Sequence, residues 1–417
     1  MITNVQILEL AGEVERVYMD ASDQLIVAIA KRLKRGNASS IQQWQIEKLA
    51  EANMLTKDAV QIIARVAKVT PKRVVDAISK AMAISVEDTE KILQGAASKG
   101  LIHQAGSIQT SERIANVVKA YSKQATDQLN LVNTVMLNST QTLYRQAVAN
   151  ISNDVAKAVA ENIEKAWSAT GKEALAGKAK IINEVLNTAT AEVNLGMWAY
   201  QDAATKAIEL LSYEGITGFY DIRGHKWSAE AYVNMDIRTT VHNTAIQGQK
   251  ARSEDYGVYT FQVSTKSAAR PLCAPWQGHI LSWNAGDRGT VYDLNGTPYH
   301  YDSIYDTSYG EPAGLFGINC GHFPNTFVNG YSMARYEELT PEQEEKNAEE
   351  YELSQEQRKI EREVRQKATY AQSLKAAGLD YKSAEANAVF ARSDYAQWCK
   401  ENGRTPRYNR TEVQGLK

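Results

Sequence analysis

Two cysteines and one histidine are the residues of this chain best suited to chemistry. Cys320 and His322 are two residues apart, and Cys273 precedes Cys320 by 47 residues. Thiolate and imidazole groups are the donors that Zn²⁺ prefers, but zinc needs three or four converging ligands and usually announces itself by paired CxxC spacing. Only one close pair exists here, with His279 or His242 as a possible fourth ligand. The pattern permits a zinc site without requiring one.

Two other roles for these residues remain open. Cys320 could be a thiolate nucleophile, but it would need a nearby base, and His322 would serve only if the turn folded it back. Alternatively, Cys273 and Cys320 are small buried apolar residues, and His322 is hydrogen-bonded beside them. Neither role follows from the spacing alone.

The residues around the cysteines are typical of a tightly turned segment. Proline fixes the backbone, and tryptophan supplies an apolar anchor. Glycine and asparagine, including Gly321 and Asn319, tolerate unusual dihedral angles. Arg270 could instead pair with a buried carboxylate or a phosphate. On the preceding helix, Arg238 and Thr239 could hydrogen-bond back onto this segment. The candidate structural residues are Arg238, Thr239, Arg270, Pro271, Trp276, Gln277, Gly278, Asn319, Cys320 and His322.

A short basic run, KRLKR, is the tightest cationic cluster in the chain. It contains Lys31, Arg32, Lys34 and Arg35. Such a run is typical of the solvated end of an amphipathic helix, and DNA or an acidic partner is the alternative contact.

Composition excludes several classes of protein. The chain has 417 residues, 43% hydrophobic and 23% charged, with a net charge of -2, so it does not coat nucleic acid by charge alone. Three cysteines exclude a disulfide framework and favour a reducing compartment. No GxxxxGK[ST], GxGxxG, HExxH or GxSxG motif occurs. The start lacks a signal peptide's pattern. We expect a protein made and used in the cytoplasm, or in a particle assembled there.

Outside this segment, the sequence predicts mainly helices. Capping signals at Ser40, Thr56, Thr70-Pro71 and Ser85 predict short helices across residues 1–105. Apolar residues at three- and four-residue steps then predict a long helical hairpin over residues 106–212, either a projecting arm or part of a bundle. Glycines after Tyr213 mark a boundary.

A small α+β module is expected over residues 213–332. One helix ending near Gly257 precedes short β-type runs, namely VYTFQVS, HILSW, TVYDL and TPYHYDSIY, separated by turns. Residues 333–417 predict charged C-terminal helices, the first solvated over Glu337–Lys367. The fold class is therefore a mainly α N-terminal region, a compact α+β module and a helical C-terminal segment.

Three segments together resemble the phage minor capsid protein 2 family, and more distantly the Mu F-like head-morphogenesis domain. They are GFYDIRGHKWSAEAYVNMDIRTT (218–240), VSTKSAARPLCAPWQGHILSW (263–283) and GLFGINCGHFPNTFVNG (314–330). Two positions depart from the family pattern. Lys266 stands where histidine is frequent, which would remove one candidate ligand, and Gly321 stands where arginine is common.

The resemblance implies a structural protein of a tailed phage or prophage, without enzymatic activity or a cofactor. It implies a place in the virion, in the capsid interior or at the portal vertex, and a role in head morphogenesis and DNA packaging or retention. The implied partners are the portal protein, the major capsid or scaffolding protein and packaged double-stranded DNA, with no membrane. The alternatives are a Cys/His-dependent hydrolase or toxin-like enzyme, and a zinc-stapled DNA-binding module.

Overall fold

The chain is mostly helical, with a small mixed sheet. The computed structural model describes residues 2–38, 40–170, 199–220 and 226–413. Its helices are α1 (Asn4–Arg32), α2 (Ile41–Ser98), α3 (Glu112–Thr170), α4 (residues 199–214), α5 (Ala229–Asp255), α6 (Pro341–Ala377) and α7 (Lys382–Glu401). Its strands are β1 (Thr217–Tyr220), β2 (Lys226–Ser228), β3 (Thr260–Val263), β4 (Ile280–Ser282), β5 (Gly289–Tyr292), β6 (Pro298–Ser303) and β7 (Pro324–Thr326). In these described ranges no helix is long and apolar enough to cross a membrane.

Helix α2 corrects the prediction of several short helices. It runs without interruption for 58 residues, and the predicted starts at Thr56, Thr70-Pro71 and Ser85 all lie inside it. The Thr56 hydroxyl donates to the carbonyl of Ala52 (3.0 Å) instead of capping a new helix. The Ser85 hydroxyl likewise donates to a carbonyl, that of Ala245 (2.9 Å). A hydroxyl that donates to a carbonyl in this way does not cap the start of a new helix.

The proline inside α2 does not end the helix because apolar burial continues on both sides of it. Val66 and Val74, on either side of Pro71, are both buried. A proline inside a helix removes one backbone hydrogen bond, and packing of the flanking turns outweighs that loss. The predicted start at Ser40 is confirmed, since its hydroxyl accepts the N–H of Gln43 at 3.1 Å.

The first helix of the predicted hairpin is present as α3, which has 59 residues. The second helix of the predicted hairpin falls largely outside the described residues, apart from its end in α4. Helix α3 buries Met136, Tyr144 and Ile151, and the Tyr144 hydroxyl donates to the carbonyl of Lys48 (2.8 Å). These contacts favour a bundle for this part of α3, whereas the complete hairpin stays a prediction.

The chain divides into two compact units. The first comprises Met1–Tyr18, Ala67–Val132 and Glu230–Lys359, and the second comprises Met19–Val66, Asn133–Ala229 and Ile360–Lys417. The β1–β2 pair belongs to the second unit, and the five-stranded sheet belongs to the first. The domain boundaries predicted from the sequence near residues 105, 212 and 332 stay a prediction.

The predicted β runs are confirmed as strands β3 to β6, to which the structure adds the short β7. Their order in the sheet is β5-β6-β4-β3-β7, with β4 and β6 parallel and the other pairs antiparallel. The Asn295-Gly296 turn joins β5 to β6, and the Asp293 carboxylate accepts the N–H groups of Asn295 and Thr297 (both 2.8 Å). On β3, Phe261 stacks on Trp283 at 4.2 Å between ring centroids.

Helix α6 is less solvated than its charge predicts. In the first unit, Asn347 exchanges two hydrogen bonds with the backbone of Ala269 (2.8 and 2.9 Å). In the second unit, Glu361 and Arg365 are buried, and Arg365 pairs with Asp23 at 2.9 Å. Some charged residues of α6 therefore face inward where they have a partner, whereas most of residues 341–350 are exposed. The predicted charged C-terminal helices are α6 and α7.

Candidate functional site

The Cys/His cluster, consisting of Cys273, Cys320 and His322, forms where two loops of the first unit meet. Cys273 follows β3 and immediately precedes a 3₁₀ turn, whereas the other two residues lie just before β7. Ser264 joins the loops, because its N–H donates to the carbonyl of Phe323 (3.0 Å) and its hydroxyl accepts the N–H of Phe323 (2.9 Å). Pairing of β3 with β7 thus brings together side chains that are distant in sequence.

The three predicted ligand atoms converge in the interior. The exposed fractions of Cys273, Cys320 and His322 are 1%, 5% and 1%. The two sulfurs are 4.0 Å apart, and Cys320 Sγ is 3.4 Å from His322 Nδ1. All three ligand atoms lie within 4.8 Å of one another. Both cysteines are free thiols, and their separation is far longer than the ~2.05 Å of a disulfide.

A compact turn aims Cys320 inward. Asn319 adopts a φ of 54° and Phe316 a φ of 58°. Residues other than glycine seldom occupy this region. The N–H of Phe316 donates to Cys320 Sγ at 3.3 Å. The expectation that Asn319 takes an unusual dihedral angle is confirmed. Gly321, in contrast, has no positive φ, and its missing Cβ leaves room for Lys266 Cδ, which would lie 3.1 Å from that Cβ.

The pKa values of the two thiols in the cluster are shifted in opposite directions. The hydrogen bond from Cys273 lowers the pKa of Cys320 well below its usual value, and His322 lowers it further, although burial acts in the opposite direction. The same hydrogen bond raises the pKa of Cys273, and burial adds to that rise. Negative charge in the cluster is therefore concentrated on Cys320, the sulfur that lies next to the imidazole.

Two further side chains lie beside the cluster. Burial lowers the pKa of Lys266, and the nearby Cys320 opposes that shift. Burial also lowers the pKa of His242, whose Nε2 lies 2.9 Å from the carbonyl oxygen of His322. His279, the other histidine considered as a fourth ligand, instead lies 3.7 Å from a Glu338 carboxylate oxygen. Of these two histidines, His242 is the one close to the cluster.

Within the described residues, two buried imidazole nitrogens have no hydrogen-bond partner. They are His322 Nε2 and His242 Nδ1. Buried polar atoms are nearly always satisfied, so each exception calls for an explanation. Other buried side-chain atoms of the described residues also have no partner, but these two are the imidazole nitrogens among them, and both lie at the Cys/His cluster.

The remaining predicted motif residues hold the two loops in place. Arg270 donates to the carbonyls of Ile318 (2.7 Å) and Gly314 (3.1 Å). The side-chain oxygen Oε1 of Gln277 accepts the N–H of Lys266 (2.5 Å). These bonds connect backbone to side chain across the loop, which is a positioning role.

Pro271, Trp276 and Gly278 complete the same loop. Pro271 directly follows Arg270, and Trp276 packs edge-on to His279 at 5.8 Å between centroids. Gly278 has a φ of 82°, and a Cβ there would lie 2.4 Å from the carbonyl oxygen of Glu337. Only glycine fits this turn without displacing the backbone.

Arg238 and Thr239 on α5 bond in different directions. Thr239 Oγ1 accepts the N–H of Asn319 at 3.1 Å, so this residue contacts the cysteine loop as expected. Arg238 instead forms a two-pronged ion pair with Glu15 of α1. No sequence signal indicates that pairing, because the two residues are 223 positions apart.

The basic run lies at the end of α1 and just beyond it, in the second unit. Lys31 and Lys34 are exposed, whereas Arg32 pairs with Asp58 at 2.5 Å. Arg35 is half-buried. The predicted solvated helix end therefore describes the two lysines better than it describes Arg32.

Sequence reasoning missed one buried polar cluster in the first unit. The Arg252 cluster consists of Glu90, Arg252, Asp255 and Tyr256. Arg252 is 1% exposed and contacts Glu90 at 2.5 and 2.8 Å. No sequence signal could connect Glu90 with Arg252, which lies 162 positions away in a different helix.

Comparison with known proteins places the chain among phage structural proteins. A "Structural protein" of Lactococcus phage LL-H is 26% identical over 344 residues, 82% of this chain and 80% of that protein. A "Structural protein" of Lactococcus phage mv4 is 40% identical over 65 residues, 16% of this chain and 50% of that protein. No solved structure matches the chain.

The family assignment is narrower. The model described as Phage minor capsid protein 2 matches residues 2–158 and 148–398. The chain therefore belongs to the phage minor capsid protein 2 family, and the resemblance seen in its sequence segments is confirmed.

Proposed function

We propose that this protein is a minor component of the virion of a tailed phage or prophage. In this proposal it associates with the portal vertex and aids head morphogenesis and DNA packaging or retention. The observation that carries the proposal is the family match, which covers residues 2–158 and 148–398. The relative from phage LL-H, named as a structural protein, supports it over most of both chains.

Ion pairs within the first unit support a docking role. Two of them join helices that are distant in sequence: Glu15 with the partly buried Arg238, and Glu90 with the buried Arg252. Losing one partner of such a pair leaves a buried charge uncompensated, so each pair fixes one relative placement of its two helices. We propose that residues 213–332 act as a Mu F-like docking module, whose part in the first unit supplies Arg238 and Arg252 to these pairs.

The finer arrangement and the partners are also part of the proposal. Residues 106–212 would form a helical hairpin directed toward the portal, the capsid lumen or DNA. The portal protein and the major capsid or scaffolding protein would be the protein partners. Packaged DNA would contact the exposed Lys31 and Lys34, because phosphate attracts lysine without regard to sequence. Synthesis would take place in the host cytoplasm.

We further propose that the protein is not an enzyme. A cysteine nucleophile must meet its substrate, but Cys320 is only 5% exposed and its sulfur already contacts Cys273, His322 and the N–H of Phe316. If iodoacetamide labelled Cys320 in the native protein as fast as in the unfolded chain, this argument would fail.

Quantitative mass spectrometry of purified phage heads tests the virion role. The protein should be present at a few copies per particle, in a fixed ratio to the portal protein. Heads assembled without portal protein are the matched control, and they should lack this chain. Its absence from normal heads would overturn the proposal, and incorporation independent of portal would overturn the portal association.

A further inference from the structure

We propose that Cys273, Cys320 and His322 bind one divalent zinc-type cation, with His242 as the fourth ligand. The site would staple the loop after β3 to the loop before β7. This inference is independent of the virion role, because it concerns the isolated chain.

The distances match those of a tetrahedral zinc site. Zinc–sulfur bonds of about 2.3 Å and zinc–nitrogen bonds of about 2.0 Å separate two sulfurs by about 3.8 Å, and sulfur from nitrogen by about 3.5 Å. The observed separations are 4.0 Å between the sulfurs and 3.4 Å between Cys320 Sγ and His322 Nδ1. The third separation lies within 4.8 Å. Only small side-chain adjustments are needed to enclose a cation.

The donor set specifies the kind of cation. Two thiolates and an imidazole suit zinc or another thiophilic ion, whereas Mg²⁺ and Ca²⁺ require oxygen ligands. The charge also balances, since two thiolates neutralise one divalent ion. Metal binding requires both sulfurs as thiolates, so it would release the thiol protons of the cluster.

His242 is not one of the three residues whose ligand atoms lie within 4.8 Å of one another, but its hydrogen bonding is that expected of a ligand. Histidines that bind metals usually donate their other ring N–H to a carbonyl or carboxylate, which fixes the ring and leaves one lone pair free. His242 Nε2 lies 2.9 Å from the carbonyl oxygen of His322, and its Nδ1 has no partner among the described residues. A bound cation would satisfy that buried nitrogen.

The test is zinc loading of the purified full-length chain under reducing conditions, followed by removal of free metal and elemental analysis. The wild type should retain one zinc per chain, whereas Cys273→Ser and Cys320→Ser should retain none. Cys399→Ser is the matched control, because Cys399 is equally buried but packs against Val364 and Tyr395 in the second unit. It should retain zinc. Equal zinc content in all four proteins would overturn the proposal.

Cobalt binding keeps the test decisive if the serine variants fail to fold. Wild-type protein titrated with Co²⁺ should develop the intense thiolate-to-cobalt absorption and the visible bands of a tetrahedral site. No such absorption in the folded wild type would overturn the proposal. A Cys273–Cys320 disulfide that forms in air, without zinc uptake after reduction, would overturn it in favour of a redox pair.

The variant His242→Ala tests the fourth ligand separately. It should bind zinc at least about tenfold more weakly than the wild type, as expected for the loss of a ligand or its orienting contact. Unchanged affinity would remove His242 from the site.

Discussion

The Arg252 cluster and the Cys/His cluster are both buried in the first unit, but only the first is complete. Arg252 donates to Glu90, to Asp255 (3.2 Å) and to the carbonyl of Gly106 (2.7 Å), while the Tyr256 hydroxyl also donates to Glu90 (3.0 Å). The Cys/His cluster, in contrast, has two unpartnered imidazole nitrogens at its edge. The two clusters are therefore both buried, but they differ in whether all of their polar atoms have hydrogen-bond partners.

This contrast separates a structural role from a ligand-binding one. A guanidinium and carboxylates that saturate one another leave no site for a ligand, and their removal should cost stability alone. Thiols and imidazoles with free lone pairs gain stability only when something binds them. The comparison thus predicts that stability depends on zinc at one cluster and not at the other.

The largest effect should come from Arg252→Met. It leaves Glu90 buried without its partner, and we expect a loss of about 3–5 kcal/mol in the free energy of unfolding. Urea unfolding at neutral pH measures it. Arg113→Met is the control, because Arg113 is 60% exposed although it pairs with Glu254 and Asp255. That variant should lose about 0–1 kcal/mol. Equal losses would show that burial does not distinguish the two pairs.

Zinc removal should have the next largest effect. At free zinc about 100 times the dissociation constant, binding adds about 2.7 kcal/mol to stability. A chelator should therefore lower the melting temperature of the wild type and of Cys399→Ser. The melting temperature of Cys320→Ser should not respond. A chelator response in Arg252→Met as large as that of the wild type would show that the two clusters act independently.

The pH dependence of the Arg252 cluster should follow Glu90. Burial alone would raise the pKa of Glu90, but hydrogen bonds from Arg252 and Tyr256 outweigh it, so the pKa is lowered. A carboxylate with a lowered pKa contributes stability that is complete above the unfolded value of about 4.3 and is lost as the pH falls through the folded value.

The measurement is urea unfolding of wild type and Arg252→Met from pH 7 to pH 3, with chelator present to exclude a metal contribution. The difference in unfolding free energy between the two proteins should shrink as the pH falls below about 4.3. A difference that stays constant over this range would mean that ionised Glu90 does not supply the stability.

The two clusters also show what the sequence could and could not predict. Cys273, Cys320 and His322 could be found because their residue types are rare and their segments repeat a family pattern. That these side chains lie close together could be expected. Their position in the fold could not be predicted, because it depends on pairing between β3 and β7. Glu90 and Arg252 could not be found, because they are ordinary residues on ordinary helices and only packing brings them together.

The helical region shows the same limit at the level of secondary structure. Strands β3 to β6 and the helix ending near Gly257 follow from local turn signals, and they are confirmed. The continuity of α2 through Thr70-Pro71 does not follow from local signals, because those signals favour a break there. Burial of Val66 and Val74 on either side of the proline decides the outcome, and burial is not visible in local sequence.

The smallest effect should come from Gly321→Ala. A Cβ at this position would lie 3.1 Å from Lys266 Cδ and 3.2 Å from Lys266 Nζ. Because these atoms end a flexible side chain, Lys266 can move away, and we expect a loss of about 0.5 kcal/mol or less in the unfolding free energy. Zinc content should stay the same, since Gly321 supplies no ligand atom.

A double-mutant cycle with Lys266→Ala tests that explanation. Removing the lysine side chain removes the atoms that the new methyl group would meet, so the cost of Gly321→Ala should vanish in the Lys266→Ala background. A cost that persists would place the strain in the backbone turn between Cys320 and His322. Zinc loading would then fall in Gly321→Ala as well, because the turn that aims both ligands would have shifted.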